Sequence, residues 1–230
     1  MLSILDLIDA RTLDLDLAAF LMARVGAGDS FMVGARPGGS GKTTVMCALA
    51  NLLPPDVDIV AATDETVRSA AREAPCAARR CYLCHEIGSG PYFSYLWGDA
   101  LRAYCALSQQ GHILVTNLHA DDAGEARDQV CGDNGVPPAD FNAFRLLIFL
   151  RVEGGFARAR RRIDLVYAGD GAQAQELLYD ATRGWTSRPP AGPGIDSCRA
   201  FLQRSLASPE RTIERVRRRF LEWSAGGARH

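Results

Sequence analysis

The chain contains one lysine, Lys42, and it lies inside Pro37-Gly38-Gly39-Ser40-Gly41-Lys42-Thr43-Thr44. A β-type run, Ser30 to Ala35, precedes this segment, and a helical run, Val45 to Leu53, follows it. Of the 26 Lys+Arg residues all the others are arginine, so an ammonium is present only where a phosphate would need one. Strand, glycine-rich turn and helix in this order make a phosphate-binding loop. The glycines let backbone N–H groups turn inward around an anion, and the helix presents its positive end to it. Lys42 is expected to reach the β- and γ-phosphates of a nucleotide, and Thr43 to offer its hydroxyl to Mg²⁺. The usual pattern is G-x-x-x-x-G-K-[ST]; counting back from Lys42 puts Arg36 on its first position, with Gly34 two residues too early. Arg36 either opens the loop with a different turn or points toward the nucleotide.

A length of 230 residues suits one large α/β domain with a small appendage. A formal net charge of −1 gives no sign of a nucleic-acid coat or a strongly basic membrane-binding face. No run approaches the roughly 18 to 20 apolar residues that span a bilayer, and Met1 to Asp6 does not read as a cationic leader, so the expectation is a soluble, cytoplasmic protein. Seven cysteines, an odd number, form no disulfide framework and are expected as reduced thiols. Cys81-Tyr82-Leu83-Cys84-His85 spells C-x-x-C-H, a haem-attachment string that Cys76 would extend toward a zinc set. No second well-spaced pair accompanies it, and Tyr82-Leu83 fit a buried strand, so these cysteines read as small apolar residues.

Periodicity predicts a helix over Leu13 to Val25, stopped at Gly26-Ala27-Gly28, and short strands at Val57 to Ala62 and Cys81 to Cys84. A helix is expected over Leu96 to Gln110, closed by Gly111, then a buried strand at His112 to Asn117 and a helix at Ala123 to Val130. Phe141 to Phe149 leads into Leu150-Arg151-Val152, and a hairpin is expected from Ile163 to Tyr167 and Glu176 to Tyr179. Helices are predicted at Ile195 to Leu206 and Pro209 to Trp223, the second with Ser208 as cap and Pro209 in its first turn. Strands alternating with helices argue for a mostly parallel sheet wrapped on both faces, with the ligand at the carboxyl ends of its strands. The resulting division is a phosphate-loop α/β domain over 1–188, a Pro/Gly linker over 189–194 and a C-terminal helical appendage over 195–230.

Several segments together resemble the secretion and pilus ATPase superfamily, which includes the type II and type IV secretion, pilus-motor and archaeal flagellar-motor ATPases. The loop of that family commonly reads G-P-T-G-S-G-K-T-T, onto which Pro37, Gly39, Ser40, Gly41, Lys42, Thr43 and Thr44 fall. Gly111-His112-Ile113-Leu114-Val115-Thr116-Asn117-Leu118-His119-Ala120 is similar to its His box, G-H-x-x-x-(S/T)-T-L-H-(A/T). Thr63-Asp64-Glu65 stands in the place of the acidic box, and His85-Glu86-Ile87 resembles the Gly-Glu-(Ile/Val) of the atypical Walker B, with Gly88 where an arginine often follows. The likeness spans roughly Leu7 to Trp223, and the N-terminal domain such motors carry has no counterpart in it.

The resemblance implies a RecA-like core that binds ATP and Mg²⁺ and hydrolyses ATP. It places Arg36 to Thr44 around the phosphates, Thr43 on Mg²⁺, and Glu86, or as second choice Glu65, as the carboxylate that orients the attacking water. His119 would sense the γ-phosphate or bridge to a neighbouring subunit, with Thr116 or Asn117 beside it, whereas His112 reads as structural. Bland alternatives remain at each place: Asp64 and Glu65 as a helix N-terminal acidic pair, Glu86 as an exposed loop carboxylate, and Asp121 and Asp122 as caps. Arg158, Arg160, Arg161 and Arg162 form the densest basic cluster, either a solvated edge or a guanidinium source for an adjacent protomer's phosphates. The implied partners are copies of itself in a hexameric ring and a membrane-embedded platform protein, with peripheral membrane association and no nucleic acid. A catalytically weak nucleotide-binding scaffold subunit is the alternative; a DNA-directed ATPase fits less well, because basic surface interleaved with aromatics is missing.

Overall fold

The computed structural model describes residues 1–36, 38–73, 78–154, 159–187 and 190–227. Pro37, Cys76 and Arg158, together with the remainder of 74–77, 155–158, 188–189 and 228–230, lie outside the described residues. The chain runs α1 (Ile4–Asp9), α2 (Leu15–Gly26), β1 (Ser30–Gly34), α3 (Lys42–Ala50), β2 (Asp58–Ala61), α4 (Asp64–Ala70), β3 (Arg80–Ile87), β4 (Tyr95–Leu96), α5 (Asp99–Ala106), β5 (Ile113–Leu118), α6 (Ala123–Arg127), α7 (Pro138–Asn142), β6 (Phe144–Glu153), β7 (Arg160–Ala168), β8 (Glu176–Asp180), β9 (Gly184–Trp185), α8 (Pro193–Leu206) and α9 (Ile213–Gly227).

The strands form one sheet in the order β2-β3-β5-β1-β6-β7-β8-β9, with β4 paired to β3 off that path. From β2 to β6 every pairing is parallel, and from β6 to β9 the sheet continues as an antiparallel meander. A strand covered on both faces cannot alternate polar with apolar, and every residue of β1 is indeed buried. Side chains of β3 and β6 leave the sheet alternately into two cores. One holds Cys81, Leu146, Ile148 and Leu150 beneath α1, α2, α3, α8 and α9; the other holds Tyr82, Cys84, Leu147 and Phe149 beneath α4, α5, α6 and α7. The fold is thus the mixed α/β, mostly parallel architecture the alternating pattern predicts.

The boundaries differ in instructive places. Leu96 is not helical: it pairs with Ile87 in β4, and Gly98 at φ 57 turns the chain before α5 begins at Asp99. The rest of the predicted helix ends as a 3-10 turn over Leu107–Gln110, closed by Gly111 in the left-handed region at φ 84. The last helix starts at Ile213, not Pro209. Thr212 caps it, its carbonyl accepting from Val216 N at 2.9 Å, while the Arg211 side chain bonds the Leu206 and Ser208 carbonyls and Asp9, holding the link before it out of helical geometry. Pro193, assigned to the linker, already opens α8. α8 and α9 are not loosely attached, since Cys198, Phe201, Leu202, Val216 and Phe220 belong to the same core as Leu17 and Leu21 of α2.

The C-x-x-C pair lies on β3, where an i, i+3 spacing sends the two thiols to opposite faces of the sheet. They cannot share a metal or a disulfide, and burial pushes both thiols up to about 12. In the native protein Cys81 and Cys84 are therefore expected to resist a thiol-exchange reagent at about pH 8 and to label fully after denaturation. Peptide mapping of the labelled sites checks this, and fast native labelling of either one would contradict the placement.

Candidate functional site

Because β1 occupies the middle of the parallel region, the turn that leaves it emerges at the carboxyl edge of the sheet, between the ends of β5 and β6. The ends of β3 and β5 deliver Glu86, Asn117 and His119 to the same edge. Gly34 closes β1 where no side chain fits: a Cβ there would stand 2.6 Å from the Ala120 carbonyl oxygen. Gly39 and Gly41 hold φ of +73 and +96, and Gly41 leads directly into α3. These left-handed residues let the loop turn sharply into α3, a conformation that favours glycine.

Lys42 is 6% exposed, and its Nζ donates to the Ala35 carbonyl at 3.2 Å. It also stands 3.4 Å from His119 Nδ1 and 3.7 Å from Glu86 Oε2. The other Glu86 oxygen, Oε1, lies 2.5 Å from His119 Nε2. Burial lowers the Lys42 ammonium below the ordinary lysine range, and the Glu86 carboxylate opposes that shift. Glu86 is itself buried, at 7% exposure, so it is no solvated loop carboxylate. Lys42, Glu86 and His119 form one connected cluster at the mouth of the loop.

The strand end carrying Glu86 is pinned from behind. Ser94, a non-glycine residue at φ 57, donates its hydroxyl to the Ala62 and Leu83 carbonyls at 3.0 and 3.1 Å. Its own carbonyl receives the His85 amide at 2.8 Å. The long stretch after Glu86 therefore folds back as a brace. Asn117 spans the neighbouring gap, donating Nδ2 to the His85 carbonyl at 2.9 Å and to Thr43 Oγ1 at 3.4 Å.

The residues present fit a bound triphosphate. Among the described residues Ser40 Oγ and Asn117 Oδ1 are buried without a hydrogen-bond partner, a costly state that a ligand oxygen on one side and a donor on the other would relieve. Among the described residues, no atom other than those of the chain neighbours stands within 4 Å of where a Cβ would lie on Gly38 or Gly39, so that part of the loop faces open space. Thr43, exposed at the start of α3, offers a hydroxyl suited to Mg²⁺. Among the described residues no three His, Cys, Asp or Glu side chains gather as a metal cage, and the ion would be held jointly with phosphate oxygens.

Other expected site residues are placed elsewhere. Arg36 turns away from the cavity: its guanidinium pairs with Glu125 through Nε at 3.0 Å and through Nη2, and its amide donates to Asp121 at 2.9 Å. The pairing raises the Arg36 pKa, while the Asp121 amide and then Arg36 lower that of Glu125. Arg36 thus opens the loop with a different turn, tied to α6, and not with its charge on the ligand. Replacing it with alanine should leave nucleotide affinity within about threefold, since exposed ion pairs contribute little; a tenfold loss by calorimetry would place the side chain on the phosphates after all.

Glu65 is likewise not brought to the loop. It sits in the first turn of α4, capped by Thr63, and lines a separate shallow depression with Arg68, Ser69, Arg72 and Glu73. Thr63 serves the helix cap, with Asp64 paired to Arg68 at 2.8 Å. Asp122 caps α6. His112 accepts from the Arg80 amide at 3.2 Å and lies edge-on to Tyr82, a structural place.

Two further residues reach the site, Arg161, which the sequence offered only as one of a basic cluster, and Tyr95, which it did not single out. Arg161 of β7 crosses over the loop within the same chain, donating Nε to the Gly39 carbonyl at 3.1 Å, while Arg162 pairs with Glu153 and Asp164. Tyr95 lines the same cavity and stacks with His85, ring centroids 5.5 Å apart. The pairing of β1 with β6, and of β6 with β7, brings Arg161 over the loop, and no local spacing could reveal that position.

Fold and site together define an α/β protein with a RecA-like P-loop core. Similar solved structures include the VirB11 ATPase of the Brucella suis type IV secretion system, with a TM-score of 0.50 and 17% identity over 72% of this chain and 54% of that one. The Legionella pneumophila ATPase DotB is matched at a TM-score of 0.39 and 14% identity, over 70% of this chain and 47% of its own. The chain spans about half the length of these structures, and at 17% identity the likeness to VirB11 is one of fold. No protein-family model and no curated protein matches it. Among the described residues no helix is long and apolar enough to cross a membrane.

Proposed function

We propose that the chain is an ATP-binding and ATP-hydrolysing P-loop subunit of a secretion- or pilus-type machine. The observation that carries this reading is the cluster at the mouth of the phosphate loop, where the buried Lys42 and Glu86 meet the exposed His119. Lys42 turns from the Ala35 carbonyl and Glu86 onto the β- and γ-phosphates, and the backbone amides of the loop share their charge. Thr43 holds Mg²⁺, which supplies Lewis-acid polarisation of the phosphate oxygens when bound. Once Lys42 is drawn to the anion, Glu86 is free to accept a proton from water aligned with the γ-phosphate. His119 fixes the carboxylate through Nε2, and Asn117 couples the Thr43 hydroxyl to the end of β3.

The secretion reading is supported by the fold shared with VirB11 and by the His-box-like string 111–120, whose last histidine stands at the cleft. On that reading the protein acts as a homo-oligomeric ring, a hexamer, in the cytoplasm. It is at most peripheral to the membrane, and it passes the work of hydrolysis to a membrane-embedded platform protein without nucleic acid. Steady-state phosphate release from Mg–ATP, alone and with reconstituted membrane fraction, is the test. Release that requires Glu86 agrees with the proposal; tight ATP binding with no release under either condition would leave a nucleotide-holding scaffold subunit in its place.

A further inference from the structure

Unbroken strand alternation would send Glu86 away from Lys42. Along β3, Tyr82 and Cys84 point into the core beneath α4, α5, α6 and α7, and Glu86, two residues further on, should follow them. Glu86 instead stands 3.7 Å from Lys42, the first residue of α3, which packs on the opposite face, and it is Ile87 that joins Tyr82 and Cys84. The alternation therefore changes phase between Cys84 and Ile87. The pairing with β5 locates the change: Cys84 is level with Thr116 and Ile87 with Leu118, so His85 and Glu86 together face Asn117 alone. This is a β-bulge, and one extra residue moves the side chains that follow it to the other face.

A bulge leaves backbone groups without ladder partners, and buried ones must be satisfied in another way. The His85 carbonyl accepts from Asn117 Nδ2 at 2.9 Å. On the other side of β3, β2 ends opposite Leu83 and β4 begins opposite Glu86, and Ser94 fills the interval between them. The Ser94 carbonyl accepts from the His85 amide at 2.8 Å, the Glu86 amide at 3.4 Å and the Cys84 thiol at 3.4 Å. Its hydroxyl accepts from the His85 amide at 3.1 Å while donating to the Ala62 and Leu83 carbonyls. Ser94 thus bonds every residue of β3 from Leu83 to Glu86. It is 5% exposed, and its φ of 57 lies in the left-handed region that favours glycine. Glycine would trace the same backbone path without strain, so what serine adds at this position is the hydroxyl.

Resting on the reading of Glu86 as the carboxylate that meets the attacking water, we infer that Ser94 is a positioning residue: by holding the bulge in β3 it turns Glu86 out of the core beneath α4 to α7 and onto Lys42 and His119. The phosphate loop runs from β1 to α3, so anion binding does not pass through Ser94. Its influence falls on turnover.

The test compares the wild type with Ser94→Gly, which removes the hydroxyl and relieves the left-handed backbone, and with Ser94→Cys, which keeps the shape and a weak donor. Ser94→Gly should bind Mg–ATP by calorimetry as tightly as the wild type while its phosphate release falls at least about tenfold, because misplacing a reacting group by about 1 Å can cost roughly 100-fold. Ser94→Cys should fall between the two. A crystal structure of Ser94→Gly should show the Glu86 carboxylate withdrawn from His119 Nε2, from which it stands 2.5 Å in the wild type. Wild-type turnover in Ser94→Gly, a Glu86 carboxylate still in place, or equal losses of binding and turnover would each overturn the inference while leaving the ATPase reading intact. A wild type that binds Mg–ATP and releases no phosphate would overturn the hydrolytic reading, and the position of Glu86 in the variant crystal then decides the role of Ser94 by itself. Should Ser94→Gly fail to fold, as its melting curve would reveal, Ser94→Cys carries the same comparison.

Discussion

Lys42→Ala is expected to weaken Mg–ATP binding by at least about 100-fold while leaving the protein folded. A charge-assisted hydrogen bond contributes about 1.5–3 kcal/mol, and each 1.4 kcal/mol is a factor of ten, so loss of one ammonium shared by two phosphates reaches that scale. Folding should survive because Glu86, the buried partner left behind, keeps His119 at 2.5 Å. Lys42→Arg should not restore binding, since a planar guanidinium cannot occupy the enclosed space of a compact amine that is 6% exposed. Calorimetry of the two variants checks this. Undiminished affinity in Lys42→Ala would mean that the anion rests somewhere other than at the loop.

Glu86→Gln is expected to lower turnover by about 10²–10⁴-fold, the usual contribution of a positioned general base, with Mg–ATP affinity retained or improved. The amide keeps the shape of the carboxylate and can still reach His119, but it cannot take a proton from water. It also withdraws the carboxylate charge that stands 3.7 Å from Lys42, so the ammonium has more to gain from a phosphate. Binding and chemistry should therefore move in opposite directions. A variant that turns over at the wild-type rate would remove Glu86 from the chemistry, and one that loses binding as well would make it part of the cradle.

The parts of this molecule that were legible in the sequence are those fixed by short spacing. The phosphate loop reads directly because strand, glycines, Lys42 and helix are contiguous, and the buried strand 112–117 because its apolar run admits only an interior place. Glu86 and His119 were legible as candidates through local strings, and the structure brings both to Lys42. Arg36 was ambiguous, since its direction depends on Glu125 and Asp121, some 85 to 89 residues away, which local turn chemistry does not contain. Glu65 sat in a position equally suited to a helix start, and the helix claims it. Arg161 was legible only as one of a basic cluster, and its place over the loop of its own chain was not. The pairing of β6 with β7 puts it there, a consequence of the folded sheet. The start of α9 was misjudged because Ser208-Pro209 is a good helix opening on its own, while side-chain bonds from Arg211 to the Leu206 and Ser208 carbonyls move the start to Ile213.

The most direct test of the account is a titration of the wild-type protein with Mg–ATP followed by heat. Saturable binding of one nucleotide per chain, abolished by excess Mg–tripolyphosphate, is the predicted result. An absence of binding heat across the accessible temperature range, with a melting temperature unmoved by millimolar nucleotide, would contradict it.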